Sequence, residues 1–334
     1  MARREYDESD ARIRPSRRTK PRTKDRPSHD DAISAFVITV DRGRTTCVLP
    51  DGTEVTAMKA RELGPKSVAV GDHVKLVGDT SGSDGSLARI VSIDERRSVL
   101  VRTVDDAAQF ERTIAANIDQ LVIVVATSNP EPRRGLIDRF LVSAFTEDIE
   151  PMIVFTKCDL ASPPEFIKDY ESIGVKCFAV HKGGELNQLH AALNGKVSVM
   201  VGHSGVGKST LLNQLTKADR QIGDVNDVTG RGRHTSSSAY AVPLKDLHNQ
   251  NAIANSWLID TPGVRAFGLS HLDPSKIVAA FDDLLEITNS CMTNCSHNEE
   301  DCALNIWMAP NGVEIPERAA RVSSLRALLS AGLE

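Results

Sequence analysis

The chain has 334 residues, 40% of them hydrophobic and 25% charged, with 40 Lys and Arg against 45 Asp and Glu for a formal net charge of −5. That length leaves room for two or three domains with ample core, and the composition is that of a globular protein rather than a fibrous or wholly disordered one. The acidic balance excludes a surface that is basic throughout, no apolar run reaches the length of a membrane span, and the N-terminus lacks the apolar core of a signal peptide, so the expectation is a cytoplasmic protein whose thiols are free or metal-bound.

The charge is unevenly spread. ARIRPSRRTKPRTKDRP (11–27) is basic, rich in Pro and without apolar periodicity. It predicts a disordered arm over residues 1–32, either a solubilising tail or a polyanion-binding arm. From Ala35 to about Leu100 short apolar runs are punctuated by DRGR and PDGT turns. Five or so short strands with Gly-rich turns predict a small barrel over 33–100, of the OB type or the SH3-like type. Nucleic-acid binding by an OB barrel commonly uses exposed aromatic rings, and Phe36 is the one candidate here; a docking or spacer barrel is the alternative.

From about Ala115 the pattern becomes α/β. NIDQLVIVVATSN reads as a buried parallel strand, GLIDRFLVSAFTEDI as a helix, and PMIVF, VKCFAV and KVSVMV as further buried strands with helical segments such as ELNQLHAALNG between them. A mostly parallel sheet follows. The second of these strands ends in Thr156-Lys157-Cys158-Asp159, with Leu160 next. This resembles the (N/T)KxD element that reads guanine. A carboxylate at Asp159 accepts from guanine N1–H and the 2-amino group, a donor pair that adenine lacks, so the residue selects against ATP. Lys157 would lay its stem along the base, and Thr156 stands where Asn is commoner. Val180-His181-Lys182-Gly183 would supply a base-contacting loop after the next strand.

The fourth strand leads into Gly202-His203-Ser204-Gly205-Val206-Gly207-Lys208-Ser209-Thr210. This is GxxxxGK followed by Ser, placed after a strand and before the helix TLLNQLTKA, the context that a phosphate-binding loop requires. Its backbone N–H groups would wrap the phosphates, Lys208 would reach the β- and γ-phosphates, and the Ser209 hydroxyl would ligate Mg²⁺. The segment GDVNDVTGRGRHTSSSAYAVPL is the candidate first switch. Thr235 is the favoured Mg²⁺- and γ-phosphate-sensing hydroxyl, with Ser236 and Ser237 as rivals. Asp260-Thr261-Pro262-Gly263 follows the strand SWLID, which places Asp260 at the second Mg²⁺-site carboxylate and the Gly263 N–H at the γ-phosphate. Common GTPases position water with a Gln after this turn. Val264 stands there instead, so the catalytic group comes from elsewhere, and His234 is the candidate, its other reading being a partner contact or a plain loop residue. The guanine reader thus precedes the phosphate loop, which makes the GTPase order circularly permuted. The loop after the DTPG turn leads straight into the C-terminal part, which gives nucleotide state a route to it.

LDPSKIVAAFDDLLEITNS reads as a helix and ERAARVSSLRALLSAGL as a terminal amphipathic helix. Between them Cys291, Cys295, His297 and Cys302 place three of the six cysteines and a histidine within twelve residues. Cys₃His with short spacings predicts one tetrahedral, structural Zn²⁺ with no open position, stapling a small helical domain that lacks core of its own. The cysteines Cys47, Cys158 and Cys177 are scattered and read as structural.

Taken together, the barrel, the permuted order with GHSGVGKST, GRGRHT and DTPGVRxF, and the CxxxCxHxxxxC cluster resemble the ribosome small-subunit-dependent GTPase A (RsgA) family over about residues 30–330. The resemblance implies a multidomain α/β protein in which the disordered basic arm (1–32) is followed by an OB-fold barrel (33–100), a circularly permuted P-loop GTPase domain (101–270) with a mostly parallel sheet and a zinc-binding helical domain (271–334). It implies GTP and GDP as ligands, and slow hydrolysis stimulated by the 30S subunit during its late maturation. It also implies 16S rRNA contacts through the barrel and the zinc domain, and a switch histidine, matching His234, in place of the missing glutamine. Two features depart from the family pattern: the cysteine cluster is one residue tighter at two spacings, and HTSSS stands where HTTT is usual. A monomer is the default, with no DNA or membrane partner. The alternative function is an RNA-binding assembly factor for which GTP is an affinity switch and hydrolysis is incidental; an ATPase or kinase is disfavoured by Asp159.

Overall fold

The computed structural model describes residues 29, 31–41, 43–63, 68–105, 108–217, 239–261 and 274–333. The basic segment 11–27, His234 and Thr235 with their neighbours, and the Pro262–Gly263 turn with Val264 lie outside the described residues.

Strands β1 (Ile33–Asp41), β2 (Arg44–Val48), β3 (Glu54–Lys59), β4 (His73–Gly78) and β5 (Ala88–Ile93) form the N-terminal barrel. The order is β1-β2-β3-β5-β4, with β4 pairing back onto β1 to close the ring. Period-two alternation sends Val37, Cys47, Val55, Ala57, Val74, Leu76 and Ile90 into one small core, the pattern that a closed sheet demands of its strands. The PDGT turn closes because the Asp51 carboxylate accepts from the Thr53 N–H at 2.8 Å, an Asx turn. Phe36 does not provide the exposed stacking ring that its sequence position suggested. It is 8% exposed and belongs to the larger core, with its ring 4.9 Å from Trp257 and 5.4 Å from His73. Alternation turns it away from the barrel interior and against Trp257.

A hairpin follows that the sequence does not announce, β6 (Val99–Asp105) with β7 (Ala108–Ala116). Strand β8 (Gln120–Ala126), helix α1 (Arg134–Thr146), β9 (Glu150–Thr156), α2 (Ile167–Ser172), β10 (Lys176–Ala179), α3 (Asn187–Leu193), β11 (Val197–Val201) and α4 (Lys208–Thr216) then alternate. Strands β12 (Tyr240–Lys245) and β13 (Ala252–Asp260) complete the sheet as an antiparallel pair. In space the order is β10-β9-β8-β11-β13-β12, with β10, β9, β8, β11 and β13 parallel to one another. The segment AYAVPL, expected within the first switch, is therefore in part the strand β12. Pro243 hides it from pattern reading; it sits where the register shifts, the irregularity at which a strand tolerates proline. Beyond β12 the sheet continues into the barrel through Tyr240 opposite Thr39 of β1.

At the N-terminal edge of the parallel strands, Glu150 accepts from Lys176 at 2.8 Å, Lys196 at 2.5 Å and Gln120 at 3.2 Å. Burial pushes its pKa up, but these three donors outweigh it and hold the carboxyl at about 2. The C-terminal segment expected as a single helix is two, α5 (Pro274–Ala279) and α6 (Asp282–Thr288). The break at Phe281 leaves that ring fully buried, with the Arg321 guanidinium 4.6 Å from its centre. Helices α7 (Ala303–Met308) and α8 (Pro316–Leu333) complete the fold. Ile277, Phe281, Leu284, Cys302, Leu304, Val322 and Leu325 share one continuous core with Phe140 and Leu141 of α1. The C-terminal helices thus have no separate core among the described residues. Also among them, no helix is long and apolar enough to cross a membrane.

Candidate functional site

Strands β8 and β11 are neighbours, yet the helices that follow them lie on opposite faces. Ile137 and Phe140 of α1 pack with Ile123 and Val201, while Leu211, Leu212 and Leu215 of α4 pack with Val122, Val124 and Met200. Such a reversal opens a crevice at the carboxyl ends of the strands, where open α/β sheets bind ligands. The loop Gly202–Gly207 emerges there. Gly202 has φ 144°, and a Cβ on it would lie 2.3 Å from the Val124 carbonyl oxygen, so only glycine lets the loop leave β11 against β8. Gly207, at φ 95°, caps the N-terminus of α4 and leaves the first-turn N–H groups facing the loop, the arrangement that receives phosphate.

Lys208 lies half-buried beneath its loop, donating to the carbonyls of Gly202 at 2.7 Å and His203 at 3.0 Å. Burial pulls its pKa down and Asp260 pulls it back up. Asp260 ends β13, paired in register with Met200, two residues before the loop begins. Thr261, fully buried, donates to the Met200 carbonyl at 2.9 Å and fixes the chain just after β13. The Asp260 carboxylate and the Ser209 hydroxyl in the first turn of α4 are oxygen donors of the kind that Mg²⁺ takes.

The Thr156-Lys157-Cys158-Asp159 motif reaches the same place from a distant part of the chain. The Thr156 hydroxyl donates to the Val206 carbonyl at 2.5 Å, joining the end of β9 to the phosphate loop. Lys157 takes a left-handed backbone (φ 58°) and its ammonium is bound by the Asn129 carbonyl, while its own carbonyl accepts from Thr127 at 2.8 Å. This fixed turn leaves Asp159 and Leu160 exposed. The Cys158 N–H donates to the Val180 carbonyl at 3.2 Å, which brings the loop of His181, Lys182 and Gly183 alongside. His181 itself lies over Gly184.

Replacing Thr156 with Val keeps the volume but strands a buried carbonyl on Val206. We expect a loss of about 1–3 kcal/mol in urea unfolding, together with weaker GDP binding. Unchanged stability and affinity would show that the bridge is dispensable.

The second cluster lies between α6 and α7. The ligand atoms of Cys291, Cys295, His297 and Cys302 are all within 4.8 Å of one another. The Cys291 and Cys302 sulfurs are 3.7 Å apart, and His297 Nδ1 is 3.7 and 3.9 Å from them. Two sulfurs on a tetrahedral zinc, each about 2.3 Å from the ion, stand about 3.8 Å apart, so the cluster has the spacing of a Cys₃His metal site. Burial lowers the His297 pKa, favouring the neutral ring that a metal requires. Two residues that sequence reasoning did not single out hold the loop. Glu299 accepts from the Ser296 N–H at 2.9 Å and the Asn298 N–H at 3.2 Å. Arg326 of α8 donates to the His297 carbonyl and to Asn305, both at 2.7 Å. Neither carries a sequence signal, since each acts through loop backbone or from a distant helix.

Comparison with known proteins agrees with this geometry. The sequence model of the RsgA GTPase family matches residues 93–270. The small ribosomal subunit biogenesis GTPase RsgA 1 of Vibrio vulnificus is 35% identical over 264 residues, covering 76% of this chain and 72% of that protein. The corresponding RsgA of Alcanivorax borkumensis is 37% identical over 266 residues, covering 76% and 71%. Two solved structures share the fold. YloQ, described as a circularly permuted GTPase, has a TM-score of 0.61 at 20% identity, covering 90% of this chain and 96% of that one. YjeQ from Thermotoga maritima has a TM-score of 0.61 at 23% identity, covering 89% and 99%. The chain belongs to the RsgA GTPase family and has its circularly permuted GTPase fold.

Proposed function

We propose that this member of the RsgA family, a GTP hydrolase, assists late maturation of the small (30S) ribosomal subunit. It binds 16S rRNA and leaves once GTP has been converted to GDP and phosphate. The observation that carries this reading is the Thr156–Val206 bridge. It joins two motifs, distant and inverted in the chain, into one site that reads a guanine and holds its phosphates. In that site Asp159 selects the base, Lys157 and Leu160 flank it, and the N–H groups of 202–210 with Lys208 bind the phosphates. Ser209 and Asp260 would hold Mg²⁺, which when bound neutralises charge on the β- and γ-phosphates. Gly263, Thr235 and His234 complete the γ-phosphate and water side. With Val264 at the usual glutamine position, the reaction alone is slow. It accelerates when the subunit is bound, with His234 as the group that then serves the reaction.

The strand order β1-β2-β3-β5-β4 with closure onto β1 supports an OB-fold for residues 33–100, and the cluster spacing supports one structural Zn²⁺ in 271–334. Residues 101–270 form the GTPase domain, and 1–32 a basic arm that adds to phosphate-backbone attraction. The protein acts as a cytoplasmic monomer on RNA, not DNA or membrane. Cosedimentation with purified 30S and 50S particles tests this. We expect binding to 30S alone, tighter with a non-hydrolysable GTP analogue than with GDP, and falling as salt is raised, as for contacts to phosphate backbones. Binding indifferent to nucleotide, to particle or to salt would overturn it.

A further inference from the structure

The residue opposite Asp260 in the sheet is Tyr240, and its hydroxyl reaches the Asp260 Oδ2 at 3.1 Å. Its backbone is gripped from the other side by Thr39 of the barrel. Its ring lies partly buried against the core cluster of Leu244 and Leu258, so the phenol is held in one place. Asp260 has a competing cation nearby in Lys208, whose pKa it raises. A phenol donor on one oxygen fixes the plane of the carboxylate.

We propose that Tyr240 is a positioning residue that holds the Asp260 carboxylate in the orientation through which it engages Mg²⁺ on bound nucleotide. The inference rests on the reading of Asp260 as a carboxylate of the Mg²⁺ site. Tyr240 touches neither nucleotide nor metal in this scheme. It acts by holding one oxygen of Asp260 through its hydroxyl.

The full-length chain, Tyr240→Phe and Asp260→Asn are compared by equilibrium binding of guanosine 5′-(γ-thio)triphosphate. Binding is measured in EDTA and over a range of Mg²⁺ concentrations, with melting temperatures alongside. Phe keeps the ring and its packing and removes only the hydroxyl. A hydrogen bond to a charged group is worth roughly a factor of ten in an equilibrium. Tyr240→Phe is therefore expected to need about tenfold more Mg²⁺ for half-maximal tightening, with affinity in EDTA unchanged, and Asp260→Asn to need still more. If Asp260→Asn shifts the Mg²⁺ requirement and Tyr240→Phe does not, the positioning role is wrong and the reading of Asp260 stands. If neither shifts it, that reading fails and the inference fails with it. If Tyr240→Phe weakens binding equally in EDTA, the residue serves packing and not Mg²⁺, which also overturns the proposal.

Discussion

Asp159→Asn is expected to weaken GTP binding by roughly 10²- to 10⁴-fold, because two charge-assisted hydrogen bonds are lost at about 1.5–3 kcal/mol each. The same substitution is expected to transfer preference to xanthine nucleotides. Asp159 stands exposed at the end of a turn whose shape is fixed elsewhere, by Thr127 on the Lys157 carbonyl and by Val180 on the Cys158 N–H. The substitution therefore leaves the turn and the phosphate loop intact. What changes is the match of donors to acceptors. An amide nitrogen facing guanine's 2-amino group sets donor against donor, while the 2-oxo group of xanthine accepts from it. Competition binding with GTP and its xanthine analogue separates a base-reading loss from a general one. Unchanged GTP affinity would remove Asp159 from the site, and an equal fall for both nucleotides would mean that the turn had collapsed.

The second large effect is expected at the cysteine cluster. Cys302→Ser should leave the purified chain without its one equivalent of zinc and lower its melting temperature by many degrees, since structural zinc sites contribute on the order of 10 kcal/mol to the folding of small units. Here the effect should spread beyond the cluster. Cys302 is 1% exposed and sits in the core shared with α1 and α8, and Arg326 ties the His297 carbonyl to α8. Hydrogen exchange should rise across α6, α7 and α8 before the barrel is affected. Cys158→Ser, at a half-buried thiol outside the cluster, is the control and should keep the metal. A Cys302→Ser chain that retains one zinc, or that melts like the parent, would contradict the metal assignment.

The parts of the site legible in the sequence are those whose chemistry is local. GHSGVGKST lies between a strand and a helix, TKCD ends a buried strand, and the Cys₃His cluster spans twelve residues; each carries its meaning in its own spacing. What pattern reading missed depends on partners far along the chain. The β6–β7 hairpin occupies VLVRTVDDAAQFERTIAA, which has no glycine at its turn. β12 contains a proline. Phe36 looked like a surface ring because its true neighbour, Trp257, lies on the β13 strand of another sheet region. Tyr240 has no motif at all, and only the register of β12 against β13 places it on Asp260. His234, Thr235 and Gly263, expected from their motifs to serve the γ-phosphate, lie outside the described residues.

Steady-state GTP hydrolysis by the purified chain, alone and with 30S, 50S or 70S particles and with ATP as the control nucleotide, tests the proposed function most directly. We expect a slow, GTP-specific rate that rises many-fold with 30S alone. A rate that no particle raises would separate the hydrolysis from the small subunit, and equal use of ATP would contradict the guanine-reading site itself.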